Sequence, residues 1–189
     1  MRLGVFGGSF DPIHNAHLVV AQLAREQLGL DRVHLMVAAR QPLKAGHGLG
    51  AEDRAATVAL AIAGLPGLVM DRRELDREGP SYMVDTLRDL RAELPGAELV
   101  LILGADALAG FDRWREPEAI RALARLAVCR RGGETVPPGA DLEVDVPRLD
   151  ISSTAVRERL QAGLGVRGWV PDAVADYLSG LRLSRSDAG

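Results

Sequence analysis

The run Leu99-Val100-Leu101-Ile102-Leu103, closed by Gly104, constrains the fold more than any other stretch. It offers no polar residue to either side of the pleat. A strand built from it must be covered on both faces, as in the middle of a parallel sheet. Its surroundings agree. Arg2–Phe6, ending in Gly7-Gly8, reads as a first strand, Val33–Val37 as a second, Leu68–Asp71 as a third and Leu126–Arg130 as another. Leu142–Val146 alternates apolar and acidic residues, so it reads as an edge-like strand. Helical segments fall between them: one capped by Asn15 and running to about Leu28, Ala51–Ala63, one capped by Ser81 and running to about Leu94, Pro117–Ala124, Ser153 to about Gln161, and a last one from near Pro171 to about Leu178. Arg40–Gly50 is a Gly/Pro-rich loop, and the polar residues 183–189 are expected to fray.

Strands alternating with helices predict an α/β fold: a Rossmann-like, doubly wound, mostly parallel sheet with helices on both faces. The length of 189 residues suits one domain over the whole chain. Ligands of such sheets sit beyond the carboxyl ends of the strands, near the switch point. Gly7-Gly8, Gly104-Ala105-Asp106 and Ile151-Ser152-Ser153 all fall at strand ends, so they should converge.

A net charge of −3 supplies no basic field for nucleic acid. No run approaches the ~18 apolar residues of a membrane span, and the first apolar residues form a strand with a glycine pair, not a signal peptide. One cysteine, Cys129, excludes an intrachain disulfide. These features point to a cytoplasmic protein. Whether it forms a homo-oligomer stays open. Among 23 basic residues Lys44 is the single lysine, a compact ammonium in an arginine-rich chain.

The stretch Gly4-Val5-Phe6-Gly7-Gly8-Ser9-Phe10-Asp11-Pro12-Ile13-His14-Asn15-Ala16-His17-Leu18 carries the chemistry. Gly7 and Gly8 let backbone amides approach an anion without a Cβ in the way, and Ser9 adds a hydroxyl. The helix that follows aims its positive end at the same place. Neither a Walker loop nor a dinucleotide fingerprint is present. His14 and His17, three apart, share one face of the first helical turn. Beside a phosphate they are hydrogen-bond donors to developing charge. Alternatively one caps the helix, or the two are half of a metal site, although no third His or Cys ligand lies nearby. At the far end of the chain, Ser152, Ser153 and Thr154 open a helix with Arg157 one turn on. This is either an anion site of amides, hydroxyls and guanidinium or a plain N-cap.

His14-Asn15-Ala16-His17 resembles the His-x-Gly-His signature of the nucleotidyltransferase superfamily, with Ile151–Arg157 as its second signature. Glu74–Tyr82 with Asp85-Thr86-Leu87, and Leu103–Asp106 with Trp114 following, are similar to segments typical of the nicotinate-nucleotide adenylyltransferase family. The resemblance covers nearly the whole chain. Ser9 stands where threonine is common, Ala16 where glycine is, Met83 where threonine follows Ser-Tyr, and Arg115 where an aromatic is frequent. Gln41-Pro42-Leu43-Lys44 replaces the family's Pro-Pro-His-Lys, which aligns Lys44 with the family lysine.

The resemblance implies transfer of the AMP moiety of ATP to nicotinate mononucleotide, giving deamido-NAD and pyrophosphate, with Mg²⁺ accompanying ATP and no protein-held metal. It implies catalytic roles for His14, His17, Lys44 and Arg157. It implies ATP contacts from Gly7, Gly8, Ser9, Phe10, Gly104, Asp106 (at the ribose), Ile151, Ser152, Ser153 and Thr154. Lys44, Ser81, Tyr82, Met83, Trp114 (stacked on the pyridine ring) and Arg115 would bind the mononucleotide. The rivals are a related adenylyltransferase using nicotinamide mononucleotide or phosphopantetheine, and a non-catalytic nucleotide-binding module. His34 and Cys129 are expected in the core, His47 on a loop surface, and the Arg130-Arg131 pair either at the nucleotide or in solvent.

Overall fold

The computed structural model describes residues 1–39, 48–133 and 135–186, the side chains of 182–186 aside. Lys44 and His47 lie outside these residues. The strands are β1 (Arg2–Gly8), β2 (Arg32–Val37), β3 (Leu68–Asp71), β4 (Glu98–Gly104), β5 (Arg125–Arg131) and β6 (Leu142–Val146). The helices are α1 (Asn15–Gln27), α2 (Ala51–Ile62), α3 (Arg73–Asp76), α4 (Met83–Glu93), α5 (Ala105–Ala109), α6 (Pro117–Leu123), α7 (Ser153–Gln161) and α8 (Asp172–Ser186). A single 3₁₀ turn, Phe111–Arg113, joins α5 to α6.

The described strands form one sheet in the order β3-β2-β1-β4-β5-β6, every neighbouring pair parallel. Chain order reverses between β1 and β4, which places the switch point there. β4 is buried on both faces, as its apolar run requires. One face packs α1, α2, α7 and α8 through Val20, Ala24, Val58, Val156 and Val174. The other packs α4, α5 and α6 through Val84, Leu87, Leu90, Leu108 and Ile120. Helix positions three and four apart bring these residues to one side of each helix. β6 is an edge strand with the expected alternation, Val144 and Val146 inward and Glu143 and Asp145 outward.

Several local details depart from the sequence reading. The caps shift by one residue. His14, not Asn15, is the N-cap of α1, and Asn15 instead donates its side-chain amide to Gly168 O (2.8 Å) and its backbone amide to Trp169 O (2.9 Å). Tyr82, not Ser81, precedes α4, because the Ser81 hydroxyl accepts the Ala39 amide at 3.1 Å. The last helix runs through Ser186 rather than ending near Leu178, so residues 183–186 are helical and not a frayed tail. Its packing supplies the reason: the Tyr177 hydroxyl donates to Asp53 on α2 at 2.9 Å, and Leu181 packs against the core. The residues after Gly104, to which the sequence reading gave no helix, form the short helix α5.

His34 is half-buried and paired rather than simply a core residue. Its Nδ1 lies 3.1 Å from Asp71, which also takes Arg73, which in turn holds Glu93 on α4. Burial pushes the Asp71 carboxyl up, but hydrogen bonds from His34 and Arg73 outweigh it and hold it well below the usual carboxylate range. Cys129 is buried as expected, and burial pushes its thiol up to about 12, against a smaller opposing pull from Arg131.

Candidate active site at the switch point

The β1–α1 connection crosses the carboxyl end of the sheet between β2 and β4, and its backbone is tightly held. A Cβ at Gly7 would stand 2.7 Å from Met83 Cε at the start of α4, so the methionine tip would have to shift. Phe10 adopts φ +46°, a left-handed conformation that bulky residues avoid, yet its ring is buried. The backbone is therefore held there by its surroundings.

Arg54 supplies much of that hold. Its guanidinium is fully buried and donates to Ser9 O (2.7 Å), Ala38 O (2.7 Å) and Ala39 O (3.2 Å). Burial lowers its affinity for the proton and the nearby Asp11 carboxylate raises it. Because the peptide bond is planar and trans, a Ser9 carbonyl turned toward Arg54 turns the Phe10 N–H the opposite way. That N–H has no hydrogen-bond partner among the described residues.

Both histidines stand at the first turn of α1. Their rings stack with centroids 3.7 Å apart, and His17 meets the Phe10 ring edge-on at 5.1 Å. The His14 backbone amide donates to His17 Nδ1 at 3.3 Å. An accepting Nδ1 puts the proton of a neutral imidazole on Nε2. His14 is buried, and its Nδ1 has no partner among the described residues. Burial, with a smaller push from the Arg131 charge, brings its imidazole down to about 4. His14 is therefore neutral at pH 7.

A stability consequence follows for His14, whose folded pKa lies below the ordinary 6.5. Above pH 6.5 the group is neutral folded and unfolded. Between 6.5 and about 4 the unfolded chain takes up a proton that the folded chain refuses, so stability falls as pH falls. The thermal midpoint of His14→Gln should therefore fall less steeply across that window than that of the parent protein. Equal slopes in a melting series would show that His14 is not held neutral.

The second signature docks on the first. Ser152 caps α7 by accepting the Ala155 amide at 3.1 Å, and Ser153 donates to Pro12 O at 3.0 Å. Arg157 donates Nη1 to Asp11 O at 2.6 Å and Nη2 to Thr154 Oγ1 at 3.3 Å. The Ser153 hydroxyl and the Arg157 guanidinium thus hold the two signatures together, while the Thr154 hydroxyl steadies Arg157 from within α7. Ile151 is partly buried against the same core as Phe10 and Ile13.

On the opposite face of the sheet, Tyr82, Met83 and Trp114 pack on one hydrophobic cluster. Trp114 leans on Phe111, ring centroids 5.4 Å apart. The Arg115 guanidinium lies 4.8 Å over the Tyr82 ring and reaches Asp85 (3.7 Å) and Glu116 (3.6 Å). Gly104 is the N-cap of α5 and Asp106 stands exposed on its first turn. The pair Arg130-Arg131 divides. Arg130 binds Asp145 across the sheet edge at 2.9 Å, whereas the charge of Arg131 acts on His14.

Asp11, Arg54 and Glu74 received no role from the sequence. Asp11 lay inside the recognised motif, and its acidity was the available signal. Arg54 sits in Glu-Asp-Arg, which reads as a solvated helix face. Glu74 is buried and accepts the Thr86 hydroxyl at 2.7 Å, and burial raises its pKa. Among the described residues no three His, Cys, Asp or Glu side chains gather as a metal site.

A parallel sheet with a glycine-rich turn, a paired-histidine helix and an arginine-bearing helix at its switch point defines a nucleotide-binding α/β protein. The cytidylyltransferase-like family model matches residues 5–159. Among curated relatives, the "Probable nicotinate-nucleotide adenylyltransferase" of Thermus thermophilus is 47% identical over 98% of this chain and 100% of its own. The protein of the same name from Herpetosiphon aurantiacus is 42% identical over 96% of this chain and 98% of its own. The Plasmodium falciparum nicotinic acid mononucleotide adenylyltransferase, solved with NaAD, shares the fold with a TM-score of 0.76 at 16% identity, covering 96% of each chain. The chain belongs to the cytidylyltransferase-like family and, within it, to the nicotinate-nucleotide adenylyltransferases. No described helix is long and apolar enough to cross a membrane.

Proposed function

We propose that this chain transfers the adenylyl group of ATP to nicotinate mononucleotide, forming nicotinate adenine dinucleotide and pyrophosphate in NAD biosynthesis. A phosphate oxygen of the mononucleotide attacks the α-phosphorus. The bond from that phosphorus to the bridging oxygen breaks, and pyrophosphate leaves with the electron pair. The attacking phosphate is already largely ionised at pH 7, its second pKa being ~6, so no protein base is required. The protein's tasks are in-line positioning and stabilisation of developing charge.

The observation that carries this reading is the convergence of His14, His17, the outward Phe10 N–H and Arg157 on one loop at the switch point. On this reading the four residues, from two ends of the chain, supply donors to one phosphate site. The described donors are amides, imidazoles and a guanidinium, which suit phosphate better than a cation. Mg²⁺ would therefore arrive on the triphosphate, where it neutralises charge on the leaving pyrophosphate. Asp106 is assigned to the ATP ribose, and Trp114 with Tyr82 and Met83 to the pyridine nucleotide. The single buried, unreactive Cys129 is compatible with a cytoplasmic location.

Pyrophosphate release from ATP, measured separately with nicotinate mononucleotide, nicotinamide mononucleotide and phosphopantetheine, tests the reading. Release is expected with the first. Turnover with phosphopantetheine alone, or with none of the three, would overturn it.

A further inference from the structure

Arg157 is a long side chain, and its helix does not by itself fix where the guanidinium points. Free, it samples many rotamers, so its direction must be set by what surrounds it. Here it is enclosed by residues outside α7. The Asp11 carbonyl takes Nη1, and the Asp11 carboxylate stands 3.5 Å from the same nitrogen. That carboxylate also accepts the Gly48 amide at 2.7 Å and the Leu49 amide at 2.8 Å. The backbone at Gly48 is thereby drawn down onto the arginine stem. A Cβ at Gly48 would stand 2.5 Å from Arg157 Cδ and 3.3 Å from Nε. The absent side chain is what lets the two lie together. With Nη1 held by Asp11 and Nη2 donating to Thr154, the five-donor fork retains further N–H groups for a ligand.

We infer that Asp11 and Gly48 are positioning residues for adenylyl transfer, acting through Arg157: the Asp11 carboxylate and the bare Gly48 backbone set the direction of the guanidinium toward the phosphates of ATP. Asp11 belongs to the loop that leads into the paired histidines, so the same segment that carries the arginine's partner also delivers the imidazoles. A misplacement of about 1 Å in such a group can cost ~10² in rate. The inference rests on the reading of Arg157 as a phosphate ligand.

The test is a pair of double-mutant cycles, with each substrate varied in turn while the other is saturating. Arg157→Ala alone should raise the KM for ATP or lower kcat/KM for ATP strongly. Asp11→Asn and Gly48→Ala should each lower kcat/KM for ATP by about 10-fold, within the range of couplings between contacting residues, while KM for the mononucleotide stays within about twofold. In the Arg157→Ala background each should change kcat/KM for ATP by less than about twofold, because there is no guanidinium left to misplace. Gly48 is exposed and its φ is not left-handed, so its alanine variant should fold even if Asp11→Asn does not. Multiplicative losses in that background, or an unchanged ATP dependence in Gly48→Ala, would overturn the inference while leaving the role of Arg157 intact. An Arg157→Ala protein with normal ATP use would instead remove the reading beneath it, and the inference with it.

Discussion

His17→Ala is expected to lower kcat by about 10²–10³, the loss typical of removing one preorganised donor to a developing oxyanion. The geometry supplies the reason. The His17 ring is stacked on His14 and edge-packed against Phe10, so its orientation is set before substrate arrives. Its Nδ1 accepts the His14 amide, so a neutral ring carries its proton on Nε2. The fold should survive. The variant loses one acceptor at a helix start, worth roughly 1 kcal/mol, and none of the fully buried core. Single-turnover and steady-state rates, read beside a melting curve, check both halves. Near-normal turnover would remove His17 from the transition state, and a large fall in the midpoint would mean that its role is structural.

The second large effect is selectivity for the acid over the amide. kcat/KM for nicotinate mononucleotide is expected to exceed that for nicotinamide mononucleotide by at least ~10². Met83 and Val84 open α4, and their amides, like that of Arg115, have no partner among the described residues. A helix start favours a carboxylate through its free N–H groups and its dipole. A carboxylate only accepts, so it pairs with every donor it meets. A carboxamide turns its own NH₂ toward one of them and leaves it unsatisfied, at ~1–3 kcal/mol or more beside a charge. The Arg115 side chain would add attraction if it faced the pocket. In the structure it is half-exposed, spread over Tyr82 and balanced by Asp85 and Glu116, so discrimination falls on the amides instead. Trp114 offers a stacking surface to either ring, so Trp114→Ala should lower both values without inverting the preference. Comparable values for the two substrates in one assay would refute the acid-specific site.

Much of this was legible before any coordinates. The apolar run of β4 demanded burial on both faces, and the alternation of strands and helices demanded crossovers, because parallel neighbours cannot be joined by hairpins. Gly7-Gly8, His14, His17 and the Ser153–Arg157 segment stood out because each pairs a strand end or a helix start with residue types suited to phosphate. Caps were less legible. Asn15 and Ser81 are good capping residues, but tertiary partners, Gly168 for one and Ala39 for the other, took their side chains first. The end of α8 was misplaced for a related reason. Contacts of Tyr177 and Leu181 with the rest of the fold extend a helix whose own sequence turns polar.

What the sequence by itself determined was the architecture and the chemical inventory, because apolar periodicity and residue type are local properties. What only the tertiary structure decided was protonation, direction and pairing, since each depends on neighbours distant along the chain. His14 is neutral because the fold buries it and sets Arg131 nearby. Arg54, on an apparently solvated helix turn, is the fully buried cation that turns the Ser9–Phe10 peptide. Asp11 joins residues 48, 49 and 157 only after folding closes loops whose cost in chain entropy no local pattern records.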